Sequence, residues 1–431
     1  MLDGVIADVQ SRSQSVASRP RTELRVLIAS AATFAALLAS YSAFRPVRDA
    51  LALDGGPEQI PWLFVGTFVA VSVASPVWSA LLRGRARRSF VALAFHAFAA
   101  CALGFFVLVR AEIAPVTVGR VFYVWSSVFN LFVVSVFWSL LADLLGPGVA
   151  LRLYGPIAAG GTIGTLVGPY LTQQLVGTIG VAGVLIVSAV LLELAVVGVY
   201  FVRRTAAALA SEAAAVVEPP DPPAGGGAFT GIIHVARSPY LSAIVGYVLC
   251  TAFAATFMYL AQARIVHDAL ADKAARTQFF ASLDVWTAVG TLVLQTVVAG
   301  PAIRRFGPGI VLAVLPLAQV AGISVLTTAP SLTALAIAQV ISRAGTHGLT
   351  RPARELLFTV ISRDDKYRAK HAIDTIAYRL GDVASGWLNT ALVAIGSFAL
   401  LGTTVVLGAL WLGFAVMLGA GFRRRLPKEL A

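Results

Sequence analysis

The chain has 431 residues, of which 58% are hydrophobic and only 13% are charged, with a mean hydropathy of +0.83. Soluble domains carry roughly a quarter charged residues, so a soluble globular domain is excluded, and apolar windows of about 20 residues mark a polytopic helical membrane protein. The net charge of +12 reads as the cytoplasmic Lys/Arg excess of an inner membrane protein and not as a nucleic-acid surface.

The first 23 residues are polar and lack the apolar stretch and cleavage site of a signal peptide. The first span therefore acts as its own insertion signal. Twelve spans are predicted, at about 25–48, 60–82, 89–109, 116–143, 154–177, 180–202, 239–262, 277–300, 309–328, 331–350, 371–393 and 396–421. The predicted organisation is a cytoplasmic tail (1–24), a six-helix half (25–202), a cytoplasmic linker (203–238), a second six-helix half (239–421) and a short tail (422–431). Of the 33 Lys and Arg, twenty-four fall on the side of the two termini, seven on the other side, and Arg343 and Arg379 within spans. That asymmetry places both termini in the cytoplasm.

In chain order, the first span ends YSAFRPVRDAL, closed by Arg45, Arg48 and Asp49. Long basic side chains at a helix end snorkel to the interface. Alternatively, two guanidiniums with planar donor forks hold a phosphate or carboxylate. Pro46 frees backbone groups that a cavity or a neighbour must satisfy. His96 stands isolated in the third span. The fourth carries Tyr123, Trp125, Asn130, Ser135, Trp138 and Ser139, with Trp125 readable as an interfacial anchor. Gly160, Gly164 and Gly168 in the fifth give small residues every fourth position, which signals close helix packing. Glu193 in the sixth span and Asp284 in the eighth are lone intramembrane acids. Proton coupling is one use for them, and pairing with an Arg of a neighbouring span is the other. Tyr247, Thr251, Tyr259 and Gln262 recur at helical spacing in the seventh span, either to stack on a base and bond a sugar or to glue helices together. Cys101 and Cys250 lie in apolar segments and read as small core residues.

Charge crowds into the stretch from Arg343 to Asp382. Arg343, His347 and Arg351 recur at i, i+4 and i+8, followed by Arg354, so a continuous α-helix would align four cations on one face. Asp374, Tyr378 and Asp382 repeat the spacing on the next apolar segment. The later part of the stripe, through Lys370, also fits a plain positive-inside loop, whereas Arg343 and His347 precede the loop among apolar residues.

Glu212 to Gly227, containing EPPDPPAGGG, is a linker by composition. Six spans, a linker and six spans resemble the plan of the major facilitator superfamily. Gly300, Arg304, Arg305 and Gly307 resemble its short basic loop, and ALLRGRARRS at the end of the second span echoes it. Two stretches are similar to motifs of the ATP/ADP translocase (nucleotide transporter) family. In YSAFRPVRDAL, Arg45 matches a family Arg, Arg48 a Lys and Asp49 an Asp. In RPARELLFTVISRDDKYRAKHAIDTIAYRLGD, Arg354-Glu355 matches a Lys-Glu pair, Lys366 and Lys370 match spaced lysines, and Ile373-Asp374 matches an Ile-Asp. Weaker likeness runs from Val124 to Gly164. Tyr123 stands where the family has an acidic residue. The resemblance implies a major-facilitator-like fold, exchange of nucleotides or related phosphorylated anions, and substrate handling by Arg48, Arg354 and Lys370.

The fold class expected is therefore an all-α membrane protein, major-facilitator-like, with twelve transmembrane helices in two six-helix halves. The expected function is a secondary active transporter exchanging nucleotides or other phosphorylated anions across the inner membrane. Its substrate site would draw on Arg45, Arg48, Asp49, Asn130, Tyr247, Arg343, His347, Arg351, Arg354, Lys370 and Asp374, with Glu193 and Asp284 as coupling acids. Rival expectations are a proton-coupled permease or exporter of a non-nucleotide compound, and a non-transporting membrane scaffold or sensor. No phosphate-binding loop, nucleophile–base pair or metal-ligand spacing is present, so no enzyme activity, cofactor, metal or nucleic acid is expected, only the bilayer, a small anion and a monomeric chain.

Overall fold

The computed structural model describes residues 2–82, 87–212, 238–361 and 378–425, with side chains placed for 21–74, 91–146, 148–210, 238–361 and 381–425. Every regular element among the described residues is helical. The helices are α1 (Leu2–Ala52), α2 (Ile60–Leu82), α3 (Arg87–Arg110), α4 (Pro115–Leu144), α5 (147–179), α6 (181–212), α7 (Pro239–Ala269), α8 (273–306), α9 (308–328), α10 (332–357), α11 (Tyr378–Ile395) and α12 (Ser397–Arg425). Seven helical stretches are long and apolar enough to cross a membrane among the described residues, and two of them, Gly148–Ala210 and Lys273–Thr328, are rod pairs broken at a glycine. Gly180 (φ 71°, ψ 173°) separates α5 from α6, and Gly307 (φ 76°, ψ 165°) separates α8 from α9. That backbone region is open essentially to glycine alone. α1 begins well before the expected residue 25 and passes through Pro20 without a break. Residues 213–237 and 362–377, which hold the expected linker and most of the loop before α11, lie outside the described residues, as do Lys370 and Asp374.

The chain divides into two compact units: Met1–Leu51 with Ala70–Asp221, and Ala52–Val69 with Pro222–Ala431. In the first unit, the glycine ladder of α5 lies on α1. A Cβ built on Gly160 would stand 2.5 Å from the Ala31 carbonyl oxygen, and those on Gly164 and Gly168 would meet the carbonyls of Ala35 and Ala39. The pairing advances together, so α5 runs parallel to α1. α6 runs the other way. Ser188 exchanges hydrogen bonds with Ser40 at 2.8 and 2.9 Å, and Gly198 sits on Thr33. Thr172 of α5 donates to the Ala43 carbonyl at 2.6 Å, beside the carbonyl that Pro46 leaves without an amide. α4 adds an aromatic core in which Phe44, Phe105, Phe122, Trp125 and Phe129 lie with ring centres 4.9–5.7 Å apart. Trp125 is thus a packing residue, not the interfacial anchor its type suggested.

The second unit is held by α12 lying along α9 and α7. Gly309 faces Gly419 backbone to backbone, Gly408 receives Val320, and Gly246 receives the Phe414 ring. Its core is continuous from Tyr240 through Leu312 and Leu315 to Trp411 and Leu418. α10 packs on α7, α8 and α9. At one end, Asp54, in a short turn of Leu53–Gly55, forms an ion pair with Lys273 at 3.0 Å and stands 3.9 Å from Arg276, whose Nε donates to the Leu270 carbonyl at 2.6 Å. Cys250 is buried here, whereas Cys101, on α3 of the first unit, is exposed and is not the core residue expected. Its helix turns that face outward, along with Leu93, Leu103 and Val107.

Candidate functional site

Among the described residues, each unit holds one arginine paired with a buried aspartate. In the first unit, α1 carries Arg48 and Asp49 near its end, both largely buried. Arg48 donates from Nε (2.9 Å) and Nη2 (2.6 Å) to one oxygen of Asp49. Its guanidinium carbon lies 4.9 Å from the centre of the Tyr123 ring. Tyr123 is itself buried on α4. The ring face carries partial negative charge, so at the position where the resembled family has an acid, this chain offers a weaker, fixed attraction for the same cation. Arg45, one turn earlier, is half-buried, and so is Asn130 on α4.

In the second unit the key contact is Arg343 Nη2 to Asp284 Oδ1, 2.6 Å, between α10 and α8. Asp284 is buried and Arg343 half-buried. The lone acid of the eighth span is therefore paired with an arginine of a neighbouring helix. Two hydrogen bonds on the same part of α10 position the arginine: Gln319 of α9 donates to Ser342 Oγ at 2.6 Å, and Gln339 donates to the Met258 carbonyl of α7 at 3.2 Å. Polar side chains between membrane helices act as such glue.

The single basic face is not kept. Immediately after Arg343 the backbone opens into one π-helical turn, Thr346–Thr350, before α-helix resumes at Arg351–Leu357. A π turn carries extra chain per turn, so Arg351–Leu357 is rotated relative to an α-helical projection. Arg343 points to Asp284, His347 and Arg351 are exposed, and Arg354 is half-buried. A second π turn, Leu294–Val298, lies in α8, and the two abut. Gly348 sits where a Cβ would come within 2.8 Å of the Thr291 carbonyl.

Tyr247 is buried, donates to the Leu312 carbonyl at 2.9 Å and packs edge-on against Trp411. Its hydroxyl and ring are both occupied by helix packing. Glu193 Oε1 of α6 lies 2.9 Å from His96 Nδ1, on a surface where both side chains are about half exposed. Sequence reasoning left His96 unpartnered, since nothing local marks a contact 97 positions away.

The fold gives the chain its relatives. No protein-family profile and no curated protein matches the chain. Solved structures do. A mutant of the nucleoside transporter NupG superposes with a TM-score of 0.59 at 11% identity, over 94% of this chain and 100% of that one. A bacterial homologue of the iron transporter ferroportin, inward-facing, gives 0.59 at 13% identity over 94% and 98%. A POT-family transporter bound to 5-aminolevulinic acid gives 0.59 at 10% identity over 93% and 96%. These likenesses show the fold, an all-helical, major-facilitator-like architecture as expected. At such identities the likeness establishes architecture, and substrate must be argued from this chain's own residues.

Proposed function

We propose that this protein is a secondary transporter of a small organic anion, nucleotide-like or otherwise phosphorylated, that works by exchange. The observation that carries the reading is the Arg343–Asp284 pair, a guanidinium held by helices α7 to α10 in the apolar interior of the second unit. A charge at that depth is retained at a cost and marks a substrate or ion route. Arg48, fixed by Asp49 and Tyr123, is its counterpart in the first unit. Both guanidiniums are neutralised at rest, so an incoming phosphate competes with a carboxylate and leaves with little net charge displaced. That balance favours exchange of one anion for another. Arg45 in the first unit and His347, Arg351 and Arg354 in the second are further basic candidates under this reading, with Lys370 and Asp374 candidates by sequence alone.

Proteoliposomes loaded with ADP test it. Labelled ATP should enter only in exchange, and Arg48→Ala and Arg343→Ala should each reduce the rate at least tenfold at equal protein content. Transport of an identified anion at wild-type rates by both variants would sink the proposal. The Glu193–His96 pair supports a second reading, proton-coupled transport of a non-nucleotide solute, since an acid and a histidine meet between two apolar helices. Uptake driven by a pH gradient, lost in Glu193→Gln and kept in Arg343→Ala, would favour it.

A further inference from the structure

Where α7, α9 and α11 end and α12 begins, the second unit holds a recess of about 320 Å³, a volume typical of small-ligand sites. Its polar lining includes Arg264, Asp268 and Asn389, with Thr327 and Ser397 at its edge, and its walls include Phe257, Ile323 and Leu400. Asn389, only 1% exposed, accepts from Arg264 Nη2 at 2.5 Å through its side-chain oxygen. Its amide N–H groups are left as donors. The guanidinium carries five N–H donors, and Asn389 is its one hydrogen-bond acceptor among the described residues. The charge of Glu58 acts on it from nearby. Asp268 stands one helical turn beyond Arg264 on the same face of α7, about 6 Å away by helix geometry. It is largely exposed, 3.3 Å from His267 Nδ1.

Packing alone does not account for this arrangement. A half-buried guanidinium backed by a buried amide presents several donors to an empty space, with a carboxylate one turn away and apolar walls opposite. We propose that the recess binds a compound that carries an oxyanion and a protonated amine on an apolar body. The oxyanion is received by Arg264 and Asn389, the ammonium by Asp268, and the body by Phe257, Ile323 and Leu400. Two sources share this chemistry: a free amino-acid-type solute, and the headgroup of phosphatidylethanolamine. The site uses none of the residues invoked for anion exchange and is independent of that reading.

The test is the melting temperature of the full chain in phosphatidylcholine nanodiscs, whose choline has no N–H to give Asp268. L-Phenylalanine or L-leucine should raise it by a few degrees if the ligand is a solute, because binding to the native state alone stabilises it. Replacing part of the lipid with phosphatidylethanolamine should do so if the ligand is a headgroup. Phenethylamine and 3-phenylpropionate, each lacking one charge, should give markedly smaller shifts. Arg264→Gln should abolish the effect. If that variant does not fold, Leu400→Trp fills the recess without touching Arg264 or Asn389 and should abolish it equally. Arg48→Ala and Arg343→Ala should retain it, which separates this site from the exchange route. No shift from either source, a shift with 3-phenylpropionate as large as with phenylalanine, or a shift that survives Leu400→Trp would each overturn the proposal.

Discussion

Asp284 and Arg343 are worth more together than apart. Removing one partner of a largely buried pair strands the other charge, at a cost of roughly 3 kcal/mol. Asp284→Ala alone should therefore lower the melting temperature more than the Asp284→Ala/Arg343→Ala double variant, and a thermal melt of all four species gives the coupling directly. A loss in the double variant equal to the sum of the two single losses would mean the pair does not couple. Arg48→Lys should behave differently from Arg48→Ala. It keeps the charge near Asp49 but loses the paired donors and the planar contact with Tyr123, so exchange should fall severalfold and not vanish. At this scale the sequence marked the acids and arginines correctly as unusual, because charge among apolar residues is visible without a structure. It did not reveal their partners. Asp284 and Arg343 are separated by 59 positions and His96 and Glu193 by 97, and nothing in a single sequence encodes such a distance.

Glycine does two distinct jobs at the level of the helices. Gly160, Gly164 and Gly168 have ordinary helical backbone but no room for a side chain against α1. Gly180 and Gly307 have open space around them but a backbone that other residues rarely adopt. Substitutions should separate the two. Gly164→Leu should largely abolish the folded protein, whereas Gly155→Leu, with nothing within 4 Å of its Cβ, should leave its yield and melting temperature near wild type. Gly180→Ala should cost about 1–3 kcal/mol through conformation alone, read as a lower melting temperature with normal expression. The small-residue ladder was legible from its spacing. The π turns were not. Thr346–Thr350 and Leu294–Val298 contain no proline. Pro352, just beyond the first, cannot donate to the Gly348 carbonyl within it, and Gly348 also lies close against Thr291 of α8. An α-helical projection therefore put Arg351 on the same face as Arg343 when it lies elsewhere.

For the molecule as a whole, apolar length was the strongest signal. Most of the rod positions could be read from it, because the spans end at glycine, proline or clustered charge. The joints were legible as well: breaks were expected between 177 and 180 and between 300 and 309, and the chain turns at Gly180 and Gly307. The Lys/Arg distribution predicts that both termini face the cytoplasm. In a Cys101→Ala/Cys250→Ala background, a cysteine introduced at Lys428 should react with a membrane-impermeant maleimide only after the cells are opened, and one introduced at Glu112 should react in intact cells. The reverse pattern would invert the proposed orientation and with it the direction in which the basic stretch after Arg343 faces.

The one-residue joints also determine how this chain can be instrumented. At Gly180, Gly307 and Gly396 one rod stops and the next starts with no spare chain, each with positive φ. A fluorescent reporter or protease site spliced there would have to unwind a turn of helix on both sides to find its ends. EPPDPPAGGG, from Glu218 to Gly227, already contains residues that resist regular structure. A cleavage site placed within it would yield two fragments of known ends, and their co-purification after cutting would report how strongly the fragments hold together, including the packing of residues 52–69 within the second unit.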